Sequence, residues 1–251
     1  MKLSAKLKKE IHLHAAEMFP TECCGVIVNN SYIRCTNISA HQDQFEIDPV
    51  ELAQAEDAGE IQAYVHSHPN ASAKASEFDL IQIELHQKPW VICAYPDIEF
   101  HVYQPCGYQA PLIGRNYHHG WQDCYSLVRD FYQREYDIVL PNFERLDRWW
   151  ESADNASLYL DNFSQAGFIE VNDLQYGDVM LCRVGRTEHV NHAVIWLGDH
   201  ASLKSEQTEP CVGTSLILHH PYNRKSVREV FGQQWHERVA ITVRHRDVKN
   251  D

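Results

Sequence analysis

No apolar run in this 251-residue sequence approaches the roughly 20 residues that are needed to span a bilayer. The N-terminal stretch MKLSAKLKKEIHLHAAEMF is basic and then amphipathic, and it lacks the continuous apolar region of a secretory signal. We therefore expect a chain that is made in a cytoplasm and does not insert into membranes, unless other machinery exports it.

The sequence also lacks an excess of basic residues. It has 22 Lys and Arg against 35 Asp and Glu, and the formal net charge is −13. Such a chain is poorly suited to bind a phosphate backbone or an anionic membrane surface. We therefore expect no nucleic-acid partner.

A CxxC pair is absent as well, and the chain is too long and too rich in core residues for a disulfide scaffold. The cysteines are Cys23, Cys24, Cys35, Cys93, Cys106, Cys124, Cys182 and Cys211. Most of them stand in apolar contexts, such as Val91-Ile92-Cys93-Ala94. We interpret them as reduced core residues, with Cys124 as the exception.

The hydrophobic content of 44% is enough for one large domain or two small ones. The segment PCGYQAPLIGRN, which ends at Asn116, holds two prolines and two glycines and has no apolar period. It predicts a linker over residues 107–116, between an N-terminal domain over 1–106 and a C-terminal domain over 117–251. Both halves mix helical and strand patterns, which predicts the α+β class.

Apolar spacing predicts the individual elements. The predicted helices cover residues 4–18, 48–57, 76–86, 124–136 and 157–166. The predicted strands cover residues 25–28, 32–38, 61–66, 90–95, 100–103, 179–184, 193–197, 215–219 and 239–244. The polar segment between Asp199 and Ser215 is expected to be a loop insertion.

The string His66-Ser67-His68-Pro69 precedes Asp79 on a predicted helix. Two histidines two positions apart on an extended strand point to the same side of it. A carboxylate from the next helix completes three protein ligands and leaves a fourth position for water, as in catalytic zinc sites. The pattern predicts Zn²⁺ on His66, His68 and Asp79, with Glu22 available as the base for that water.

Two plainer interpretations stay open at this point. An isolated HxH pair in a chain with 16 histidines is more often a coincidence than a site. The spacing Ser76-x-x-Asp79 is also typical of a helix capping box, with Asp in place of the usual Glu or Gln.

The upstream glutamate, HxHP and SxxD together resemble the motif of the JAMM (Mov34/MPN) metallopeptidases, over about residues 1–105. The resemblance implies a JAMM-like α/β sandwich in which His66, His68 and Asp79 bind zinc. It also implies that Glu22 acts as general acid and base and that Ser76 stabilises the tetrahedral intermediate. The implied reaction is hydrolysis of an amide or isopeptide bond by zinc-bound water, and the substrate stays open.

Cys124 opens a predicted helix directly after Asp123, a suitable N-cap. A thiol in the first turn feels the positive end of the helix dipole, which is expected to lower its pKa and favour the thiolate. His192 begins a predicted strand and is the candidate base, and His219 on a later strand is the candidate orienting residue.

Plainer interpretations exist here too. A single cysteine is more often a packed small side chain than a nucleophile. His192 alone is compatible with a histidine at a strand edge, and His220 is an alternative to His219.

The order of these residues resembles the NlpC/P60 cysteine peptidases. The matching pieces are Asp123-Cys124, Tyr176-Gly177-Asp178-Val179, His192-Ala193-Val194-Ile195-Trp196-Leu197-Gly198 and Ile217-Leu218-His219. The resemblance implies a papain-like fold and cell-wall peptides as substrates, with Cys124 as nucleophile, His192 as base and His219 as orienting residue. The sequence departs from the family at Tyr125-Ser126, where Ser-Gly is common, and in the longer connection over residues 200–214.

The combination of the two halves resembles the tail assembly proteins of lambda-like phages. It implies a component of the tail tip that cuts peptidoglycan peptides, with other phage tail proteins as partners. It further implies assembly in the host cytoplasm and action in the bacterial periplasm or cell wall. Two alternatives are a zinc-dependent maturation protease of tail proteins and a structural tail component with inactive sites.

Overall fold

The computed structural model describes residues 1–40, 44–152, 154–199, 202–209, 211 and 213–249. The chain divides into two compact units, Met1–Ala110 and Pro111–Asp251, and each is described by itself. Among the described residues, no helix has both the length and the apolar character that crossing a membrane requires.

The N-terminal unit is built on one mixed sheet. Its elements are α1 (Ala5–Met18), β1 (Cys24–Val28), β2 (Ser31–Cys35), α2 (Pro49–Ala58), β3 (Ile61–Pro69), α3 (Glu77–His86), β4 (Trp90–Tyr95) and β5 (Phe100–Tyr103). The strands lie in the order β2-β1-β3-β4-β5. The β3–β4 pair is parallel, and the other neighbouring strands pair antiparallel.

Helices cover both faces of this sheet. The apolar stripe of α1, which includes Leu7 and Ile11, packs with Val65 on one face. On the other face, Ile83 of α3 packs in a cluster with Trp90. Because β1, β3 and β4 are covered on both sides, their residues are buried in nearly continuous runs.

The C-terminal unit is built on an antiparallel sheet. Its elements are α4 (Cys124–Tyr136), a 3-10 turn (Trp149–Glu151), α5 (Leu158–Asn162), β6 (Phe168–Glu170), β7 (Val179–Cys182), β8 (His192–Gly198), β9 (Leu216–His219), β10 (Val227–Val230), α6 (Gln233–His236) and β11 (Val239–His245). The strands lie in the order β10-β9-β8-β7-β11-β6, and all neighbouring pairs are antiparallel.

Alternate residues of β8 and β9 face two different cores. On one side, Phe131 of α4 packs in a cluster with Ile195 and Leu218. On the other side, Val194 and Ile217 belong to a cluster that includes Trp235 of α6. Since side chains alternate along a strand, this arrangement decides which histidines of β8 and β9 face each other.

The predicted α+β class with two domains is confirmed. The elements β6, β10 and α6 were not predicted, because they are short and lie at sheet edges or surfaces where apolar alternation is weak. The helix predicted over 157–166 is limited to Leu158–Asn162. The predicted loop insertion lies partly outside the described residues, at positions 200, 201, 210 and 212.

Candidate active sites

Two histidines of β3 and one carboxylate of α3 meet in the N-terminal unit. His66 Nε2 lies 3.0 Å from His68 Nε2. The Asp79 oxygens lie 3.1 Å from His66 Nε2 and 3.4 Å from His68 Nε2. Because β3 continues through Pro69, both histidines project from the same side of an unbroken strand. One potential ligand atom from each residue lies within 4.8 Å of the others.

The N-terminus of α3 places Asp79. Ser76 is the N-cap, and its Oγ accepts a hydrogen bond from the Asp79 N–H at 3.1 Å. The Ser76 N–H in turn donates to Asp79 Oδ2 at 2.7 Å. This is a capping box with Asp in the position usually filled by Glu or Gln. The same carboxylate therefore closes the cap with Oδ2 and faces His66 with Oδ1.

The donor set suits a divalent cation such as Zn²⁺. His68 Nδ1 lies 3.0 Å from the carbonyl oxygen of Ser72, so this nitrogen donates and Nε2 keeps its lone pair. His66 is buried and its ring stacks on Phe45 at 4.7 Å between centroids. Two imidazole nitrogens and an ionised carboxylate thus converge on one place, which is the ligand type and number of an open zinc site.

For each of the two histidines, burial lowers the pKa and the Asp79 carboxylate raises it. Burial lowers the pKa of His66, although Asp79 opposes the shift. Burial also acts to lower the pKa of His68, but hydrogen bonds to Asp79 and Ser72 bring it above its ordinary value. For Asp79, burial acts to raise the pKa, yet the hydrogen bonds of both histidines hold it far below its usual range. Asp79 is therefore ionised at neutral pH, as a metal ligand must be.

Glu22 stands two residues before β1, the strand that pairs with β3. Cys24 pairs with His66 in the β1–β3 register, and the Ser67 N–H donates to the Cys23 carbonyl at 3.1 Å. Continuing the antiparallel register places Glu22 opposite His68. The Glu22 side chain is buried, and its charge contributes to the raised pKa of His68.

In the C-terminal unit, the N-terminus of α4 presents Cys124. Asp123 caps this helix as predicted, with Oδ1 accepting from the Ser126 N–H at 2.9 Å. Asp123 also forms a buried ion pair with Arg145, whose Nε lies 2.8 Å from Oδ2. Arg145 Nη2 donates to the carbonyl of Gly120 at 2.8 Å. The ion pair therefore ties the loop before the cysteine to the first turn of α4.

The thiol of Cys124 is half-buried among protein groups. Its Sγ is 3.1 Å from the hydroxyl oxygen of Tyr159 and lies against the backbone N–H of Ala193. Burial, followed by the charge of Asp123, raises the pKa of the thiol to about 11. The expectation of a lowered pKa was wrong, because the loss of water around the thiolate outweighs the helix N-terminus. At neutral pH Cys124 is therefore in the thiol form.

His192 and His219 form a buried pair across β8 and β9. His192 Nε2 lies 3.0 Å from His219 Nδ1, which leaves His192 Nδ1 as the remaining ring nitrogen. Burial, followed by the charge of His219, lowers the pKa of His192 well below its ordinary value. His192 is therefore neutral at pH 7, in the form that accepts a proton.

The two adjacent histidines of the sequence have different neighbours. His219, the last residue of β9, meets His192. The His220 ring stands edge-on to Tyr117, with 5.2 Å between centroids, and its charge acts to lower the pKa of His192. The structure thus brings a ring nitrogen of His219, rather than of His220, to His192 Nε2.

The far side of His219 meets two residues that the sequence analysis did not identify. His219 Nε2 lies 3.5 Å from Glu229 Oε1. The Trp235 indole N–H donates to the same oxygen at 2.5 Å. The Trp235 ring also stacks on His192, with 5.8 Å between centroids and 22° between the ring planes.

Other neighbours of the two sites were missed as well: Phe45, Arg145 and Tyr159. Each stands in a loop, a connector or a five-residue helix, far along the chain from the residue it contacts. No local spacing links such positions, so a single sequence carries no signal for these contacts.

Comparison with known families matches both units. Residues 4–103 match the family of prokaryotic homologs of the JAB domain (Prok-JAB). Residues 114–244 match the NlpC/P60 family. Together the two matches cover almost the whole chain.

Two proteins of known phages are similar to the chain across both units. Tail tip assembly protein K of Escherichia phage N15 is 33% identical over 247 residues, which cover 96% of this chain and 95% of that protein. Tail tip assembly protein K of Escherichia phage lambda is 35% identical over 203 residues, which cover 80% of this chain and 89% of that protein.

Two solved structures are similar over the smaller part of the chain. A JAB1/MPN domain protein from Archaeoglobus fulgidus is 23% identical, with 44% of this chain and 95% of that chain covered and a TM-score of 0.33. A protein from Desulfitobacterium hafniense is 19% identical, with 39% and 78% covered and a TM-score of 0.34. These likenesses concern the fold alone.

Proposed function

Because the chain belongs to the phage tail tip assembly protein K family, which joins a Prok-JAB domain to an NlpC/P60 domain, we propose that it is a tail-tip peptidase. In this proposal Cys124, His192 and His219 cleave peptide bonds of bacterial peptidoglycan. The observation that carries it is the 3.0 Å contact between His192 Nε2 and His219 Nδ1. The strand that holds His192 also places the Ala193 N–H against the Cys124 sulfur.

The proposed reaction uses general-base activation of a neutral thiol. His192 takes the proton of Cys124 while the sulfur attacks the carbonyl carbon of the peptide, and it gives that proton to the leaving amine as the C–N bond breaks. Water then hydrolyses the thioester on Cys124 and restores the thiol. His219 orients the imidazole of His192 and shares the positive charge that forms on it. Asp123 and Arg145 hold the first turn of α4, so the sulfur stays in place.

The names of the relatives support the proposed setting. Both are tail tip assembly proteins, so we place this chain in the virion tail tip with other phage tail proteins as partners. Its cell-wall substrate lies in the bacterial periplasm. The net charge of −13 agrees with a partner other than nucleic acid.

Digestion of purified peptidoglycan tests the cysteine site. We expect the unchanged protein to release peptides that mass spectrometry detects, and Cys124→Ala to release them at least about 1,000-fold more slowly. Cys106→Ala is the matched control, because Cys106 is an exposed free cysteine outside the site. Equal release by the unchanged protein and Cys124→Ala, or no release by either, contradicts the proposal.

We further propose that the N-terminal unit is a zinc-dependent hydrolase of amide or isopeptide bonds, in which the ion supplies an activated water. His66, His68 and Asp79 hold the ion. Glu22 transfers the proton and Ser76 stabilises the intermediate. The convergence of three ligand atoms within 4.8 Å favours this second activity. A protein, such as another tail component, is the proposed substrate.

Processing of co-expressed tail proteins, followed on gels, tests the metal site. Chelation and Glu22→Gln should abolish processing, whereas thiol alkylation should leave it intact. The control Glu60→Gln changes an exposed carboxylate that pairs with Lys88. The reverse sensitivity would assign processing to the cysteine site. Tails that assemble and infect normally with both Cys124 and Glu22 replaced would overturn both activities in favour of a structural component.

A further inference from the structure

The cysteine site continues beyond the three residues named so far, and this inference rests on the peptidase function proposed for them. We propose that Glu229 is a positioning residue, whose carboxylate decides which ring nitrogens of His219 and His192 carry protons. It does not touch the reacting atoms. It acts through His219, whose Nε2 lies 3.5 Å from Glu229 Oε1.

The register of the edge strand puts Glu229 in reach of His219. In the β9–β10 pair Glu229 stands opposite Ile217, so it shares the face of Ile217 and His219 and is the diagonal neighbour of the histidine. Diagonal neighbours in an antiparallel pair are within reach of long side chains. The side chain of Glu229 is 37% exposed, whereas that of His219 is 5% exposed. The buried imidazole pair therefore meets a carboxylate that is partly open to solvent.

The proton positions follow from the chemistry of the groups. Glu229 Oε1 accepts a hydrogen bond from Trp235, so in this proposal the His219 Nε2 that faces the same oxygen carries a proton. In a neutral His219, Nδ1 then has the lone pair, and it accepts from the His192 Nε2–H at 3.0 Å. In a neutral His192, the lone pair is consequently on Nδ1. This is the nitrogen available to take the proton of Cys124.

Trp235 holds this arrangement in place. Its indole N–H is only a donor, and it donates to Glu229 Oε1. Its ring stacks on His192 and stands edge-on to His219, with 4.8 Å between the latter centroids. One tryptophan therefore contacts the carboxylate and both imidazoles, which limits rotation of all three groups.

Other charges act on the same pair and set the direction of the expected shift. Burial lowers the pKa of His219 to about 4, while Glu229 raises it and Arg238 lowers it. On His192, burial is followed by the charges of His219, His220 and Arg238, which all lower the pKa, and Asp123 raises it. Glu229 is thus the acidic group on β10 that raises the pKa of His219 against the larger effect of burial.

The kinetic test compares Glu229→Gln and Glu229→Leu with the control Glu237→Gln, which changes an exposed carboxylate bonded to Gln233. We expect peptide release by Glu229→Leu to fall roughly ten- to a hundredfold, with a smaller fall for Glu229→Gln and no change for the control. The rate of peptide release should also be measured against pH, where it falls at acidic pH as the imidazole pair becomes protonated. In the Glu229 variants this acidic limb should move to lower pH, because the pair loses the charge that stabilises its protonated form. A merely structural role would lower the rate without moving the limb.

A second measurement does not depend on activity. In ¹⁵N-histidine NMR spectra, His219 should show a protonated Nε2 in the unchanged protein and a mixture of tautomers in Glu229→Leu. An Nδ1-protonated His219 in the unchanged protein, or an unchanged tautomer in Glu229→Leu together with an unmoved limb, overturns the proposal. If Cys124→Ala shows that the protein is no peptidase, the NMR result still decides whether Glu229 sets the tautomer.

Discussion

The two candidate sites are assembled over very different lengths of chain. In the N-terminal unit, the two histidines come from one strand and the aspartate comes from the first turn of the next helix. In the C-terminal unit, the cysteine opens α4 while the histidines come from β8 and β9. A site built from neighbouring elements can be recognised in the sequence by the spacing of its residues. A site built from distant elements depends on strand register.

The sites also differ in their charge at rest. Asp79 is ionised between two histidines, so the N-terminal site offers a negative charge to a cation. Cys124 is a half-buried thiol with a raised pKa and His192 is a buried neutral imidazole, so both groups are neutral at rest. In the proposed functions the first site binds an ion and the second moves a proton.

Loss of the ion pair behind Cys124 is expected to have the largest effect on stability. The side chains of Arg145 and Asp123 are 6% and 2% exposed, and Arg145→Met leaves the carboxylate buried without its cation. Breaking such a pair costs about 3–5 kcal/mol. Urea unfolding of the full chain, followed by a probe in the C-terminal unit, measures the change.

Arg148→Met is the matched control for Arg145→Met. Arg148 is exposed and lies 3.8 Å from Glu151, and an exposed pair of this kind contributes about 0–1 kcal/mol. If both variants lose the same small free energy of unfolding, the contact between Arg145 and Asp123 does not stabilise the C-terminal site.

The second prediction concerns the charge that distinguishes the N-terminal site. Asp79→Asn replaces an ionised ligand by a neutral amide, so we expect zinc affinity to fall by at least about 100-fold. Competition with a chelating dye measures this affinity. Asp97→Asn changes an exposed aspartate outside the cluster and should have no effect. Undiminished zinc binding by Asp79→Asn would remove the contrast between the two sites.

The third prediction concerns the neutral resting state of the cysteine site. Because burial lowers the pKa of His192, its protonated form exists only below the ordinary value of 6.5. Because the pKa of Cys124 is raised to about 11, the thiol persists through neutral pH. Peptide release should therefore rise about tenfold per pH unit on an acidic limb below 6.5 and stay level around pH 7–9.

Alkylation of Cys124 by iodoacetamide tests directly whether Cys124 is a thiol at neutral pH. Its rate should be slow at pH 6 and should increase with pH, because the thiolate is the reactive form. Cys106→Ala should be used as the background, so that the exposed thiol does not contribute. Rapid alkylation at pH 6, with a level rate above it, would instead reveal a thiolate paired with imidazolium.

The difference in sequence separation between the residues of the two sites explains what the sequence could predict. The elements that carry His66 and Asp79 were predicted at nearly their observed bounds, whereas the strand that carries His68 runs to Pro69, three residues beyond its predicted end. The sequence left the choice between His219 and His220 open, and only the pairing of β8 with β9 brings His219 to His192. The direction of the Cys124 pKa was predicted wrongly, because a helix start is visible in a sequence and the burial of its first turn is not.

The smallest expected effect on stability belongs to Ser76, whose contacts with Asp79 are those of a helix cap. Ser76→Ala removes the acceptor for the Asp79 N–H and should cost about 1 kcal/mol in urea unfolding. Ser76→Gly should cost only a few tenths of a kcal/mol, since glycine is a tolerated N-cap. Both variants lack the hydroxyl, so comparing them separates capping from chemistry. If Ser76→Gly keeps its stability but loses processing of tail proteins, the hydroxyl acts in the reaction; if processing follows stability, Ser76 is only a cap.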